Sequence, residues 1–482
     1  MIDVSTQGSP GWWMQRLSTR LRAVQRRYTQ LDDYRRGVPP LAMGSVNVRS
    51  AFYRFQQIAR TNFADLTVQA MTERMAVRSI RTAVAQDDGG DRQASAIWAA
   101  NDLDVDQTDV YRYMGTFGVG YASVGMAPDD GAAPLIRAED PRQVITAENP
   151  VTRKTVAAFK LFHDDADDMD YAYLWLPGQM WVGTHPRRAT QPNRGLIDAP
   201  VYTPVTFQAG AFSFDSNLSE TYDVQAVPVV RFGNRDNRGE FELHLDLLNR
   251  INHVILQRVV IATLQAFRQR AIEINDADDL PDVDDAGTPI DYDDLFSADP
   301  GALWRLPAGA KIWESGQVDL AGILQSVKDD VLHLAAVTRT PLSMFTPDAA
   351  MQSAEGAQLQ REGLVFKCED RSRIAGRAWA RVMSLAFAFA GDEARADLGG
   401  LMVDWVPAER YSLAERATAD AQAVGLPFEQ KMRLIWQLTP QEVAVALSQR
   451  ADDMVFAQQL AAVQAPPPPG PSPVRPVPAP AA

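Results

Sequence analysis

An α+β fold is predicted for this 482-residue chain by three stretches of its sequence. Residues 240–272 and 316–338 carry apolar side chains at helical spacing, and an aspartate-rich insert separates them. Residues 118–233 break into short β-branched and aromatic runs divided by Pro, Gly, Asn and Asp, as hairpin strands do. A third helical run, free of proline, extends from Ser353 to about residue 391.

In chain order, residues 12–36 predict a helix that stops at Gly37-Val38-Pro39-Pro40. Residues 50–78 predict a second, and shorter helices fall near 96–101 and 105–116. Strands are expected in GVGYASVGM, APLIRAE, RQVITA, TVAAFKLFH, DYAYLWLP and MWVGTH, followed by a polar loop over 185–220. Val227–Phe232 leads through the turn Gly233-Asn234-Arg235-Asp236 into the helix of 240–272, which would be roughly 50 Å long at 1.5 Å per residue. Phe241, Leu245, Leu248, Ile255, Val259 and Leu264 mark its apolar side. Ten aspartates follow between 276 and 299 with no Lys or Arg among them. The next helix carries Leu320, Leu324, Val327, Val331 and Leu334 on one face and ends at Thr340-Pro341, where proline cannot continue it. Two antiparallel rods with a small acidic tip result. Ser353 suits an N-cap for the helix of 353–391, with Glu355 in its first turn. Beyond it come a strand at 401–407 and helices at 410–425, 428–437 and 439–463, the last opened by Thr439 and Pro440. The tail 466–482 has nine prolines and is expected to be disordered or polyproline II.

A hydrophobic content of 46% with 22% charged residues is that of a folded soluble protein, long enough for two to four domains. The net charge of −14 argues against a surface that grips duplex DNA, because such binding relies on basic residues releasing counterions from phosphates. Cys368 is the single cysteine, so intramolecular disulfides and Cys-based zinc sites are excluded. Its helical setting suggests an inert, partly buried thiol. The N-terminus lacks an apolar run of signal-peptide length, and no stretch reaches 18 apolar residues.

Little in the sequence points to catalysis. GTFGVG at 115–120 has neither the dinucleotide-binding spacing nor a Walker loop, and reads as tight sheet geometry. His163, Asp164, Asp165, Asp167 and Asp168 read as a solvated hairpin tip. Asp282, Asp284 and Asp285 lack the Gly and Glu that a calcium loop requires, so a metal site is the least favoured reading of the insert, behind a solvated acidic tip and an acidic docking surface. No acid, base and nucleophile converge, and no cofactor or metal is expected.

The layout resembles a known family. YTQLDDYRRGVPPL at 28–41, NFADLTVQAMTERMAV at 62–77 and IWAANDLDVDQTDVYRYMGTFGVGYASV at 97–124 occur in an order similar to that of the SPP1-type portal proteins of tailed phages, common among actinobacteriophages. AEDPRQVITAENPVTRKTVAAFKLF matches the wing strands with their paired D-P spacing, although Asn149 replaces the second Asp. PVVRFGNR precedes the long helix as expected, and TRTPLSMFTPDAAMQSAEGAQLQREGLVFKCEDR resembles the channel loop and tunnel helix.

This resemblance implies a non-enzymatic, homo-oligomeric ring, usually of twelve subunits, at one capsid vertex of the virion, assembled in the host cytoplasm. Residues 1–235 would be mostly wing, 236–272 the first stem helix, 273–315 the clip, 316–341 the second stem helix, 342–352 the channel loop, 353–391 the tunnel helix, 392–463 the crown and 464–482 a disordered tail. Double-stranded DNA would pass the channel loop, for which Met344, Phe345, Thr346, Asp348, Met351, Gln352, Ser353 and Glu355 are the candidates. The clip would present Asp278, Asp279, Asp282, Asp284, Asp285, Asp293 and Asp294 to the terminase large subunit and then to the head–tail connector. ATP hydrolysis would belong to the terminase. The major capsid protein and scaffold would be further partners. Two other readings are weaker: a scaffold-like assembly component without a DNA channel, and a metal-dependent hydrolase using the Asp clusters.

Overall fold

The computed structural model describes residues 2–41, 50–85, 90–127, 132–186, 204–214, 219–266, 270–273, 283, 287, 311–314, 320–346, 354–409, 411–438 and 440–464. Helix α1 (Pro10–Arg35) starts where Ser9 accepts a hydrogen bond from the Trp12 N–H and Pro10 occupies the first turn, a position that needs no N–H. Met14, Leu17 and Leu21 bury against Ile145, Phe159 and Leu174 of a six-stranded antiparallel sheet. That sheet contains β4 (Val144–Glu148), β5 (Thr155–Asp164), β6 (Met169–Leu176), β7 (Gln179–Pro186) and the two-residue strands β8 (Ser213–Phe214) and β9 (Glu220–Thr221). Asp140 and Asn149, the paired D-P and N-P positions, each fold back on the chain. Asp140 accepts the Arg142 N–H at 2.8 Å, and Asn149 accepts those of Val151 and Thr152.

The stretch 50–78, expected as one helix, is two helices and the start of a strand: α2 (Ser50–Ile58), α3 (Phe63–Thr72) and β1 (Val77–Arg81). The break is held from outside. Asn252 Oδ1 accepts both the backbone N–H and the hydroxyl of Thr61, at 3.0 and 2.8 Å. Strand β1 pairs antiparallel with β13 (Met402–Trp405), more than 300 residues later. Helices α4 (Arg92–Ala100) and α5 (Leu103–Phe117) then lead into β2 (Val119–Gly125), the middle strand of a sheet with β3 (Leu135–Glu139) and β10 (Val229–Gly233).

The first rod is shorter than its periodicity suggested. Helix α6 runs Leu245–Ala266, and the chain becomes strand β11 (Arg270–Glu273), paired antiparallel with β12 (Lys311–Glu314). The last predicted turn of helix is therefore one side of a β-ladder, whose other side arrives from beyond the acidic insert. Helix α7 (Ala321–Thr338) packs back along α6 and ends at Arg339, which has left-handed φ of +52°. The four-residue helix α8 (Leu342–Phe345) follows Pro341, and α9 (Ala354–Phe389) is 36 residues long. Along α9, Leu364, Cys368, Trp379, Met383 and Phe387 join the largest core. Trp379 meets Trp98 and Phe232 edge-on and donates its indole N–H to the Tyr111 hydroxyl at 2.8 Å.

After α10 (Glu393–Ala396) and β13 come α11 (Leu413–Gln422), opened by a Ser412/Glu415 capping box, α12 (Phe428–Leu434) and α13 (Pro440–Gln464). No residue of α11 or α12 is buried, and Val424 and Phe456 stand largely exposed. The polyproline tail lies outside the described residues, as does Thr439. No helix among the described residues is long and apolar enough to cross a membrane.

Candidate functional site

The densest chemistry lies where the two rods meet α9. Its foundation is the glycine motif. The Gly115 carbonyl accepts the Glu240 N–H at 2.7 Å, and the Gly118 carbonyl accepts the Asn234 N–H at 2.9 Å. A Cβ on Gly118, whose φ is +81°, would lie 2.3 Å from the Asn237 backbone, and one on Gly239 would lie 2.2 Å from the Thr116 carbonyl oxygen. Two backbones thus cross at contact distance, where no side chain fits. The motif is tight geometry, as read from the sequence, and it fixes the turn that feeds α6.

Asn234 organises that turn, donating from Nδ2 to the Arg238 carbonyl at 2.8 Å and to Glu240 at 2.9 Å. Asp236 and Asn237 both sit at positive φ, +53° and +55°. Beneath them the side chain of Glu240 is buried. It accepts from Arg371 Nε at 2.7 Å and lies 4.0 Å from Lys367 Nζ. Lys367 is itself buried and donates to the Thr338 carbonyl at 2.9 Å, at the C-terminal end of α7, where the helix dipole favours a cation. Arg235 reaches across to Asp370, which also holds Arg371.

Burial would raise the Glu240 pKa, but the Lys367 and Arg371 charges overcome it and hold the carboxyl below its ordinary value. Burial pulls the Lys367 ammonium below its ordinary value despite Glu240. Around this network opens a cleft of about 510 Å³ lined by the entry turn, the end of α7 and one face of α9. Its groups provide ion pairing and hydrogen bonding, with no nucleophile beside a base.

The predicted site residues fall elsewhere. Phe345 is 9% exposed and packs edge-on against Phe63 at 5.4 Å, and Met344 is half-buried against the large core. The Thr346 N–H donates to the Leu342 carbonyl at 3.0 Å. These three close α8 and anchor the start of the loop, so in this chain Phe345 is a packing residue. Asp348, Met351, Gln352 and Ser353 lie outside the described residues, as do Asp278, Asp279, Asp282, Asp284, Asp285, Asp293 and Asp294; Glu355 lies in the first turn of α9. Among the described residues no group of three or more His, Cys, Asp or Glu could hold a metal ion. His163 Nδ1 pairs with buried Asp170 at 2.8 Å at the hairpin of β5 and β6. Cys368 is buried, and burial pushes its thiol up to about 11.

The network at Glu240 was missed from sequence. Its available signal was Lys367, Asp370 and Arg371 at i, i+3 and i+4 of a helical pattern, together with the Gly/Asn-rich turn before α6.

The family model described as phage portal protein, SPP1 Gp6-like, matches residues 26–442. The chain belongs to this family. The match begins within α1 and ends in the first turn of α13, so it takes in both rods, the cleft and the whole of α9. Two solved structures resemble this portal protein. The one titled "Neck of empty GTA particle computed with C6 symmetry" has 12% identity and a TM-score of 0.44, covering 82% of this chain and 95% of that one. "Neck of native GTA particle computed with C12 symmetry" has 13% identity and a TM-score of 0.37, covering 78% and 89%. No curated protein matches the chain.

Proposed function

We propose that this portal protein assembles as a ring at one capsid vertex and forms the conduit through which double-stranded DNA is packaged and ejected. The observation that carries the reading is the run α6, β11, acidic insert, β12, α7, α8, α9: two antiparallel rods tied by a ladder at one end and feeding a 36-residue helix at the other. In this reading residues 1–235 are the wing. Residues 236–272 and 316–341 are the stem, helical over Leu245–Ala266 and Ala321–Thr338. The clip, 273–315, grows from the ladder and offers its aspartates to a basic face of the terminase large subunit and later of the head–tail connector, with salt-sensitive docking. Residues 342–352 are the channel loop, 353–391 the tunnel helix and 392–463 the crown, whose exposed apolar side chains neighbouring copies would cover. The net charge of −14 suits a passage for moving DNA, because a basic lining would gain counterion-release affinity at every step.

Cryo-electron microscopy of the purified protein tests this directly. Rings with an open axial hole are expected; twelve copies of the 53.1 kDa chain would total about 640 kDa. Closed particles without a hole would favour a scaffold-like component. The channel-loop assignment has its own test. Removing 347–352 while keeping the packed residues Met344, Phe345 and Thr346 should leave rings intact and impair DNA packaging or retention. Normal packaging would refute it.

A further inference from the structure

The cleft has a rim that the described residues leave uncovered. Leu243, Val337 and Phe366 are 65%, 51% and 57% exposed around it, although each adjoins buried structure. Arg238 and Arg339 stand exposed on the same rim and form no ion pair among the described residues. Arg339 is also held at left-handed φ, a conformation rarely adopted by residues other than glycine. Three exposed apolar side chains and two exposed cations, which outnumber the exposed Asp236 on the same lining, call for an occupant that brings apolar surface flanked by carboxylates. Phosphate would answer the arginines and leave the apolar groups wet.

The same chain carries such a surface at the far end of α5. Val105 and Asp106 lie in the first turn of α5, next to Asp102 at its N-cap. Val105 is 72% exposed, and Asp102 caps the helix without a side-chain hydrogen bond to it. Neither aspartate forms an ion pair among the described residues, whereas Asp109, one turn on, already holds Arg112 at 2.9 Å. The cleft adjoins the C-terminal end of α5, where Gly115 holds Glu240, so the two surfaces lie about 20 Å apart along this 15-residue helix. They are different patches of one chain, which is what a heterologous, ring-closing contact requires.

We propose that the α6–α7–α9 cleft is a socket for a second copy of this chain, entered by the Asp102–Val105–Asp106 knob of the neighbour. Val105 covers the rim of Leu243, Val337 and Phe366, and the two aspartates pair with Arg238 and Arg339. Desolvation by the apolar rim strengthens those pairs. The proposal rests on the ring reading above.

Charge reversal and its repair provide the test. Assembly of wild type, R238E/R339E, D102K/D106K and the four-fold variant is followed by mass photometry across a concentration series. All substitutions lie on exposed or half-buried positions, and circular dichroism checks folding. Each two-fold variant is expected to need about tenfold or more higher concentration to assemble. The four-fold variant, with the charges exchanged, should recover toward wild type. Rings formed normally by either two-fold variant, or no recovery in the four-fold variant, would overturn the pairing. Normal rings with weakened duplex binding in R238E/R339E would assign the arginines to phosphate instead. A wild type that stays monomeric throughout would overturn the ring reading itself, and the contact with it.

Discussion

Replacing Glu240 by Gln should strongly destabilise the junction between the rods and α9. The carboxylate accepts from Arg371 at 2.7 Å and Asn234 at 2.9 Å and faces the Lys367 ammonium at 4.0 Å. Glutamine keeps the shape and an acceptor oxygen. It removes the charge that offsets buried Lys367, while Arg371 retains Asp370. Breaking one side of a buried ion pair costs about 3–5 kcal/mol, and with Arg371 still paired the lower end, about 3 kcal/mol, is expected. Urea unfolding followed by tryptophan fluorescence would register this as a midpoint lowered by about 1 M or more at unchanged slope. The E240Q/K367M double variant removes the stranded cation and should recover most of the loss, which identifies the cause as charge. The pH profile carries the same signature. Glu240 titrates below its unfolded value of 4.5, so its stabilisation is complete above that value and is lost as pH falls through the depressed folded pKa. E240Q should show a flatter acid limb. Lys367 has the opposite sign: its depressed folded pKa means that burying the ammonium costs stability below that value, and the cost is relieved as pH rises through it. An E240Q midpoint within about 0.2 M of wild type, or a double variant no better than the single, would refute a charge-compensated junction.

Two further predictions concern packing at the same junction. Gly118→Ala places a Cβ 2.3 Å from the Asn237 backbone at φ +81°, so it should cost more than the roughly 1 kcal/mol of an ordinary glycine replacement and lower the melting temperature by several degrees; an unchanged melt would show that the crossing is slack. Cys368 is buried with its thiol pushed up to about 11, so a disulfide reagent at pH 8 should modify it only after unfolding by urea; rapid labelling of the native protein would contradict that burial.

Much of the fold was readable because local patterns and tertiary demands agree. Each of the six main strands from β2 to β7 overlaps a predicted run and exceeds it by at most one residue at either end, and α9 occupies nearly the whole proline-free stretch before residue 391. The misread elements are those decided by distant partners. The apolar period of 50–78 continues through Thr61, and nothing local shows that Asn252 will take both of its donors. VRSIR at 77–81 follows a helical pattern, and only pairing with Met402–Trp405 makes it a strand. Residues 270–273 extend the periodicity of α6 until Lys311–Glu314 returns to form a ladder with them.

The site was less legible for a related reason. Lys367, Asp370 and Arg371 have the spacing of a solvated helix face, and a charged pattern carries no mark of burial. What buries Lys367 is the arrival of Thr338 at the end of α7 and of Glu240 at the start of α6, both fixed by the crossing of Gly118 over Asn237 and of Gly239 over Thr116. The glycines were visible in the sequence as tight geometry, but their partners were not. Phe345 illustrates the converse. The family resemblance makes it a channel-loop candidate, while an apolar residue beside a helix reads as ordinary packing; its ring packs against Phe63 and is buried. Under the proposed channel reading, the 347–352 deletion therefore separates the contribution of the loop from the stability that Phe345 supplies.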